Sequence, residues 1–290
     1  MILARLAAML FIIFILSYYI IIMNQQYNNH GSFSRRFTLL AIFCLFLLCV
    51  NLKAESAFSL DLRTDIALSA LALGVFASSL FIENPPNEIP HSLTRSDVNP
   101  FDRSMMVTSL NVPVRYTATA MMVGMAGFLP AIPALYSFDT HFNLSTILTY
   151  GLMYTQATLL AYGTRVLFRN NITRFRPYDH DGSVLGPNSR HDSFPSGHTT
   201  VAFMASTFLA TTFSQEHPDS RWKRPLIIGS YTLAAGVGAM RVISGMHFVT
   251  DVLAGAALGS AFGWLVPTLH RNTNNSIVFT GNGLVVSIKL

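Results

Sequence analysis

The stretch Arg241-Val-Ile-Ser-Gly-Met-His247-Phe-Val-Thr-Asp251 runs directly into an apolar segment, Phe248 to Leu269. That junction decides the fold. A run of about 20 apolar residues has the length an α-helix needs to cross a bilayer. Ionisable groups at the mouth of such a run are costly in a membrane and mark function by default. Gly255, Gly259 and Gly263 recur at a four-residue spacing along the run. That stripe reads as a helix-packing face, not as a nucleotide loop.

Two more polar clusters interrupt apolar runs in the same way. Arg169-Asn-Asn-Ile-Thr-Arg-Phe-Arg176-Pro177 ends one, and Pro195-Ser196-Gly197-His198 opens another. Composition agrees with a membrane setting. Of 290 residues, 51% are hydrophobic and only 11% charged, against roughly 25% charged in soluble domains. The net charge of +5 suits an anionic substrate and basic cytoplasmic loops. No basic stripe follows a polar helix, so nucleic acid is not an expected partner. Cys44 and Cys49 both lie within the apolar run Phe37 to Val50 and read as small apolar fillers; there is no cysteine-based metal site.

The fold class is all-α: an integral membrane bundle of about six core transmembrane helices. Residues 1–54 carry two hydrophobic segments, Ile2 to Ile22 and Phe37 to Val50. Arg35-Arg36 ahead of the second, with Ala54 behind it, has the form of a secretory signal; two ordinary spans are the alternative, and Met23 is an alternative start. Residues 55–111 form a helix, Thr64 to Ile82, and a polar, Pro-containing loop with a surface helix. Residues 112–269 form the core, with helices over Tyr116–Tyr136, Leu144–Phe168, the second motif to about Phe213, Pro225–Met240 and Phe248–Leu269. Pro130 and Pro133 should kink or end the first of these. Residues 270–290 form a tail around Gly281-Asn282-Gly283 that suits a small hairpin.

In an up-and-down bundle the three motifs reach one face. The opposite face holds Arg221, Lys223 and Arg224, which places that loop in the cytoplasm and the motifs outside, on the periplasmic side of a bacterial inner membrane. A cleaved signal conflicts with this count: either the segment 64–82 stops short of a full crossing, or the amino-terminal runs stay as additional spans.

The residue types point to phosphoryl transfer. His247 and Asp251 are four apart, on one face of a helix start. The carboxylate there is expected to accept the proton of one imidazole nitrogen, leaving the other to attack phosphorus. His198 is placed to protonate a leaving alcohol. Ser196 and the Gly197 amide open a helix, where N–H groups and the dipole favour an anion. Arg169, Arg176 and Arg241 supply donors for phosphoryl oxygens. Arg174 and Arg190 read as headgroup anchors, and His180, His191 and His270 as solvated interfacial histidines.

In their order and spacing the motifs resemble those of the type 2 phosphatidic acid phosphatase family, relatives of the vanadium haloperoxidases. That pattern is Lys-x6-Arg-Pro, Pro-Ser-Gly-His and Ser-Arg-x5-His-x3-Asp, and the resemblance covers roughly residues 112–269. Arg169 stands at the lysine position and Met240 at the serine position. The resemblance implies a phosphohistidine on His247, His198 as general acid, no metal and no cofactor. The implied substrate is a phosphorylated membrane lipid: undecaprenyl pyrophosphate, phosphatidylglycerophosphate, phosphatidic acid or lipid A. A lipid phosphotransferase using the same groups is one alternative, and a non-catalytic protein that binds anionic headgroups is another. Binding alone has no need of His247 with Asp251 four residues later.

Overall fold

The computed structural model describes residues 56–81, 91–136, 144–185, 189, 191–272, 276–280 and 283–287. The two hydrophobic segments within residues 1–54, both cysteines and Arg190 lie outside these.

Among the described residues, six long helices make the bundle: α1 (Leu62–Phe81), α3 (Val112–Phe128), α5 (Leu144–Asn171), α6 (Gly197–Glu216), α7 (Lys223–Ile243) and α8 (Val249–Leu269). Two short helices complete the set, α2 (Pro100–Met105) and α4 (Ile132–Tyr136), and a hairpin of β1 (Ser276–Thr280) and β2 (Gly283–Ser287) closes the chain. Ser276 pairs with Ser287 and Thr280 with Gly283, the antiparallel hairpin expected of the tail. The proline pair acts as foreseen. Pro130 falls in a 3-10 turn, Leu129–Ala131, and Pro133 in the short α4 beyond it.

Among the described residues, four stretches are long and apolar enough to cross a membrane: Leu62–Ser79, Val112–Tyr136, Lys223–Ile243 and Val249–Leu269. Their outer faces are apolar too; Phe128, Ile228, Leu253 and Trp264 are all exposed. A water-soluble bundle would present polar groups there. Helices α5 and α6 are richer in Ser, Thr and Gln because they lie inside. Helix α6 packs against α3, α5, α7 and α8. Its hydroxyls return to helix carbonyls, as with Thr212 Oγ1 to Phe208 O at 2.7 Å, so their polarity is satisfied without water.

The glycine stripe sets the closest approach. A Cβ on Gly255 would lie 2.6 Å from the Ser196 carbonyl oxygen, on Gly259 2.1 Å from that of Thr200, and on Gly263 2.5 Å from that of Met204. Helix α8 therefore lies directly on the backbone of α6, and the first of these contacts sits at the start of the second motif.

Helix α1 crosses the whole bundle, which removes one of the two ways of reconciling the count of crossings. At one end Asn170 Nδ2 donates to Ser79 O at 3.3 Å. At the other, Ser56 Oγ and the Ala57 amide donate to Glu216 Oε2 at 3.0 and 2.9 Å. Residue 56 thus sits beside the end of α6, on the same face as Arg221, Lys223 and Arg224 and opposite the motifs.

Candidate active site

Three loops converge at the other end. The segment 174–176 lies along 191–193: the Arg174 amide donates to His191 O and the Ser193 amide to Arg174 O, both at 3.0 Å. The turn after α7 brings the third motif in. It closes on Gly245, whose φ of +72° is left-handed. A Cβ there would lie 2.7 Å from Ser109 O, so the turn also fits tightly under the loop before α3.

His247 is 1% exposed. Its Nδ1 lies 2.7 Å from the Ser193 carbonyl oxygen, which can only accept, so Nδ1 carries the proton and Nε2 the lone pair. This departs from the expected arrangement. Asp251 Oδ2 is 3.6 Å from Nδ1, beyond hydrogen-bond range. The carboxylate is already committed elsewhere. Oδ2 accepts from Ser193 Oγ at 2.5 Å and from the Phe248 amide at 2.9 Å, capping α8, and Oδ1 accepts from Arg174 Nη1 at 2.5 Å. Asp251 acts on His247 through Ser193, by fixing the residue whose carbonyl sets the tautomer. Burial first, then the charges of Arg176, Arg241 and Arg165, push the His247 imidazole well below its ordinary range. Both effects favour its neutral form.

His198, at the second position of α6, is buried. Its Nε2 lies 2.9 Å from Thr119 Oγ1 on α3. The Thr119 hydroxyl donates its own proton to Arg115 O at 3.0 Å, so the shared proton belongs to His198 Nε2. Ser196 is fully buried, its Oγ is 2.9 Å from Thr199 Oγ1, and its amide donates to Asp251 O at 3.0 Å. Of the two groups expected to bind an anion at this helix start, the Ser196 amide is therefore spent on structure. Gly197 is partly exposed.

Arg241 and Arg176 are buried, at 2% and 3% exposure. Arg176 Nε is paired with Asp192 Oδ1 at 2.8 Å. Burial works against its charge, but the Asp192 carboxylate outweighs it and holds the guanidinium above its ordinary value. Arg241 has no such partner: its Nε and Nη1 are buried and make no hydrogen bond. A buried charged donor without an acceptor costs several kcal/mol by order of magnitude, so the site is built for an anion. Arg169 is half-buried, with Nε 3.1 Å from Asn170 Oδ1.

Several participants carried no sequence signal. Ser193 differs from neighbouring serines only by where the chain folds. Arg174, read as a headgroup anchor, bridges Asp251 and Asp102, its Nη2 lying 2.6 Å from Asp102 Oδ2, and its guanidinium stacks on Phe248 at 4.2 Å. Asp102, on α2, is 1% exposed. It also accepts from the Thr250 amide at 3.0 Å, Thr250 Oγ1 at 2.6 Å and Asn99 Nδ2 at 2.7 Å. Burial would raise its carboxyl, but these hydrogen bonds outweigh it and hold it below the ordinary value. His180 and His270 are buried, not solvated. Among the described residues no three His, Cys, Asp or Glu side chains gather as a metal cluster.

The sequence profile of the PAP2 superfamily matches residues 145–275. Those residues hold all three motifs. It is 35% identical over 95 residues to a lipid A 1-phosphatase of Porphyromonas gingivalis, covering 31% of this chain and 20% of that protein. It is 37% identical over 113 residues to phosphatidylglycerophosphatase B of Bacillus subtilis, covering 37% of this chain and 54% of that protein. The chain thus spans a fifth and about half of these relatives' lengths. A transmembrane PAP2-type phosphatidylglycerolphosphate phosphatase from Bacillus subtilis is 24% identical, with 70% of this chain and 94% of that one covered, at a TM-score of 0.39. LpxE of Aquifex aeolicus is 22% identical, with 54% and 86% covered, at 0.37.

Proposed function

We propose that this protein is a membrane phosphatase that removes phosphate from a lipid headgroup, a phosphomonoester or a pyrophosphate, through a phosphohistidine on His247. One observation carries the reading: a histidine fixed as its Nε2 lone-pair tautomer lies near an arginine, Arg241, whose buried Nε and Nη1 have no acceptor. The match to the PAP2 superfamily profile and similarity to two bacterial lipid phosphatases support it.

In this scheme His247 Nε2 attacks phosphorus while His198, entering the step as the imidazolium, gives a ring proton to the leaving oxygen, which departs protonated. Arg176, Arg241, an α5 arginine and the Gly197 amide match the negative charge on the three equatorial oxygens. His198, now neutral, takes a proton from water as it attacks the phosphohistidine, and His247 is released. Asp251 and Ser193 hold His247 in place throughout. No step requires a metal. Phosphatidylglycerophosphate and lipid A, named by the relatives, are candidate substrates beside phosphatidic acid and undecaprenyl pyrophosphate. The basic loop Arg221–Arg224 lies at the opposite end of the bundle, which supports a periplasmic site in a bacterial inner membrane.

The test is phosphate release by the purified protein from a panel of these lipids, in EDTA and with vanadate. Release that survives EDTA and is blocked by vanadate is expected. No release from any lipid, or loss in EDTA restored by Mg²⁺, contradicts the scheme.

A further inference from the structure

Two arginines of α5 face the same way. Arg165 and Arg169 are four residues apart, one helical turn, or about 6 Å along the axis. The first-motif spacing draws attention to Arg169, but the structure distinguishes the two. Arg169 sits toward the mouth, half-buried, its Nε engaged by its neighbour Asn170. Arg165 is deeper and only 2% exposed. Its Nε donates to the Pro195 carbonyl at 3.2 Å. Its guanidinium lies flat over the first residue of α6: a Cβ on Gly197 would be 3.1 Å from Arg165 Nε and 3.2 Å from Cζ. Its terminal NH₂ groups have no hydrogen-bond partner among the described residues. Its charge also acts on His247 alongside those of Arg176 and Arg241.

Resting on the phosphatase reading above, we propose that Arg165, and not Arg169, is the α5 cation that contacts the transferring phosphoryl group. The absence of a side chain at Gly197 is what admits it. Arginine's planar fork allows one edge to brace the Pro195 turn while the terminal nitrogens present paired donors to phosphoryl oxygens. The Gly197 amide, at the positive end of the α6 dipole, lies beneath the same group. Arg241 approaches from α7 and Arg176 from the loop after α5. The phosphoryl group is thereby enclosed on three sides by buried arginines that have few competing carboxylates. Arg169, one turn outward, lies outside contact with it.

The experiment compares Arg165→Gln, Arg165→Lys and Arg169→Gln in the full-length protein in detergent. Vanadate is the probe, as a competitive inhibitor of lipid-phosphate hydrolysis and as a ligand in thermal-shift titrations. Arg165→Gln should weaken vanadate binding by about 30-fold or more and lower kcat/KM by about 100-fold, the scale of losing one charge-stabilising donor. Arg165→Lys should fall between it and wild type, and Arg169→Gln should change either quantity by less than about 3-fold, as surface charges do. A residue that only braced Pro195 would alter melting temperature and leave vanadate affinity alone, so wild-type affinity in folded Arg165→Gln overturns the inference. A vanadate loss in Arg169→Gln exceeding that in Arg165→Lys overturns it also, and that comparison stands even if the Gln variant at 165 does not fold. Phosphate release by the wild-type protein tests the underlying phosphatase reading separately. The ratio of vanadate affinities between variants tests the arginine assignment.

Discussion

Helix α8 carries a buried histidine at each end, and the two differ in one respect. Beyond its C-terminus, His270 has both ring nitrogens engaged: Nδ1 lies 2.9 Å from Val266 O and Nε2 2.8 Å from Asp65 Oδ1. Before its N-terminus, His247 has only Nδ1 engaged, and its neighbour Arg241 keeps two buried donors without acceptors. The same contrast extends outward. At the closed end Glu216 collects Ser56 and the Ala57 amide, and among the described residues the buried group there without a hydrogen bond is a neutral hydroxyl, that of Tyr150. Burial of titratable groups is common to both ends; among the described residues, buried charged donors without acceptors belong to one. A saturated polar cluster stabilises a fold, whereas one that keeps lone pairs and donors unspent retains free energy for a substrate.

The sharpest way to break this comparison is to remove each histidine in turn. His247→Ala should lower turnover by several orders of magnitude, as loss of a catalytic nucleophile does, with little change in melting temperature. His270→Ala should do the reverse. It leaves Asp65 buried without its partner, a loss of about 3 kcal/mol or more in stability, while kcat per folded molecule stays near wild type. Paired melting curves and kinetics on both variants decide it. A catalytic defect in folded His270→Ala protein means the two ends are coupled, and the contrast fails.

A finer comparison sets the two buried aspartates against each other. Asp102 reaches the site through Arg174, which it shares with Asp251. Asp102→Asn removes one carboxylate from Arg174, which is then free to tilt, and Asp251 loses the alignment that fixes Ser193. A drop in kcat of about 10-fold is expected, within the range seen for groups that orient a reacting residue, with KM nearly unchanged. Asp65→Asn should leave kcat unaltered. A double variant, Asp102→Asn with Arg174→Gln, should cost little more than the worse single change if the two act as one unit. Fully additive losses would show that Asp102 only anchors α2.

The motif residues and the helices were readable from sequence because both depend on local order. Spacing pointed to His247 with Asp251, and the four-residue glycine stripe to a packing face on α8; that this face lies on α6 came from the structure. What escaped depends on rotation and on distant chain. Arg165 and Arg169 share a helix face, so periodicity cannot separate them; depth in the bundle does. Ser193 and Asp102 come from loops with no period at all, and their roles exist only once residues 99–102, 174, 193 and 250 are assembled. The direct His247–Asp251 bond was a reasonable reading of an i, i+4 pair, yet capping of α8 claims the carboxylate first. Arg174 looked like an interfacial anchor because its type and position fit one, and nothing local marks its two acidic partners.

The smallest effect concerns pH. His247 must be neutral to attack, and burial with three nearby arginines holds its imidazole well below the ordinary value of 6.5. The sign follows directly. Lowering pH from neutrality leaves the nucleophile unprotonated until the depressed pKa is reached, so the acid limb of kcat/KM lies below pH 6.5 once the substrate's own phosphate ionisation, measured by phosphorus NMR, is factored out. Removing one of the positive charges should relax the depression. In Arg176→Gln, the largest charge repulsion acting on His247 is lost, so the limb should move up by some tenths of a unit, toward the ordinary value, on top of any loss in rate. His270 lies at the opposite end of α8, so His270→Gln should leave the profile unmoved. An acid limb above 6.5 in the wild-type protein would mean that His247 is a cation at neutral pH, and the unspent lone pair that separates the two ends of α8 would vanish with it.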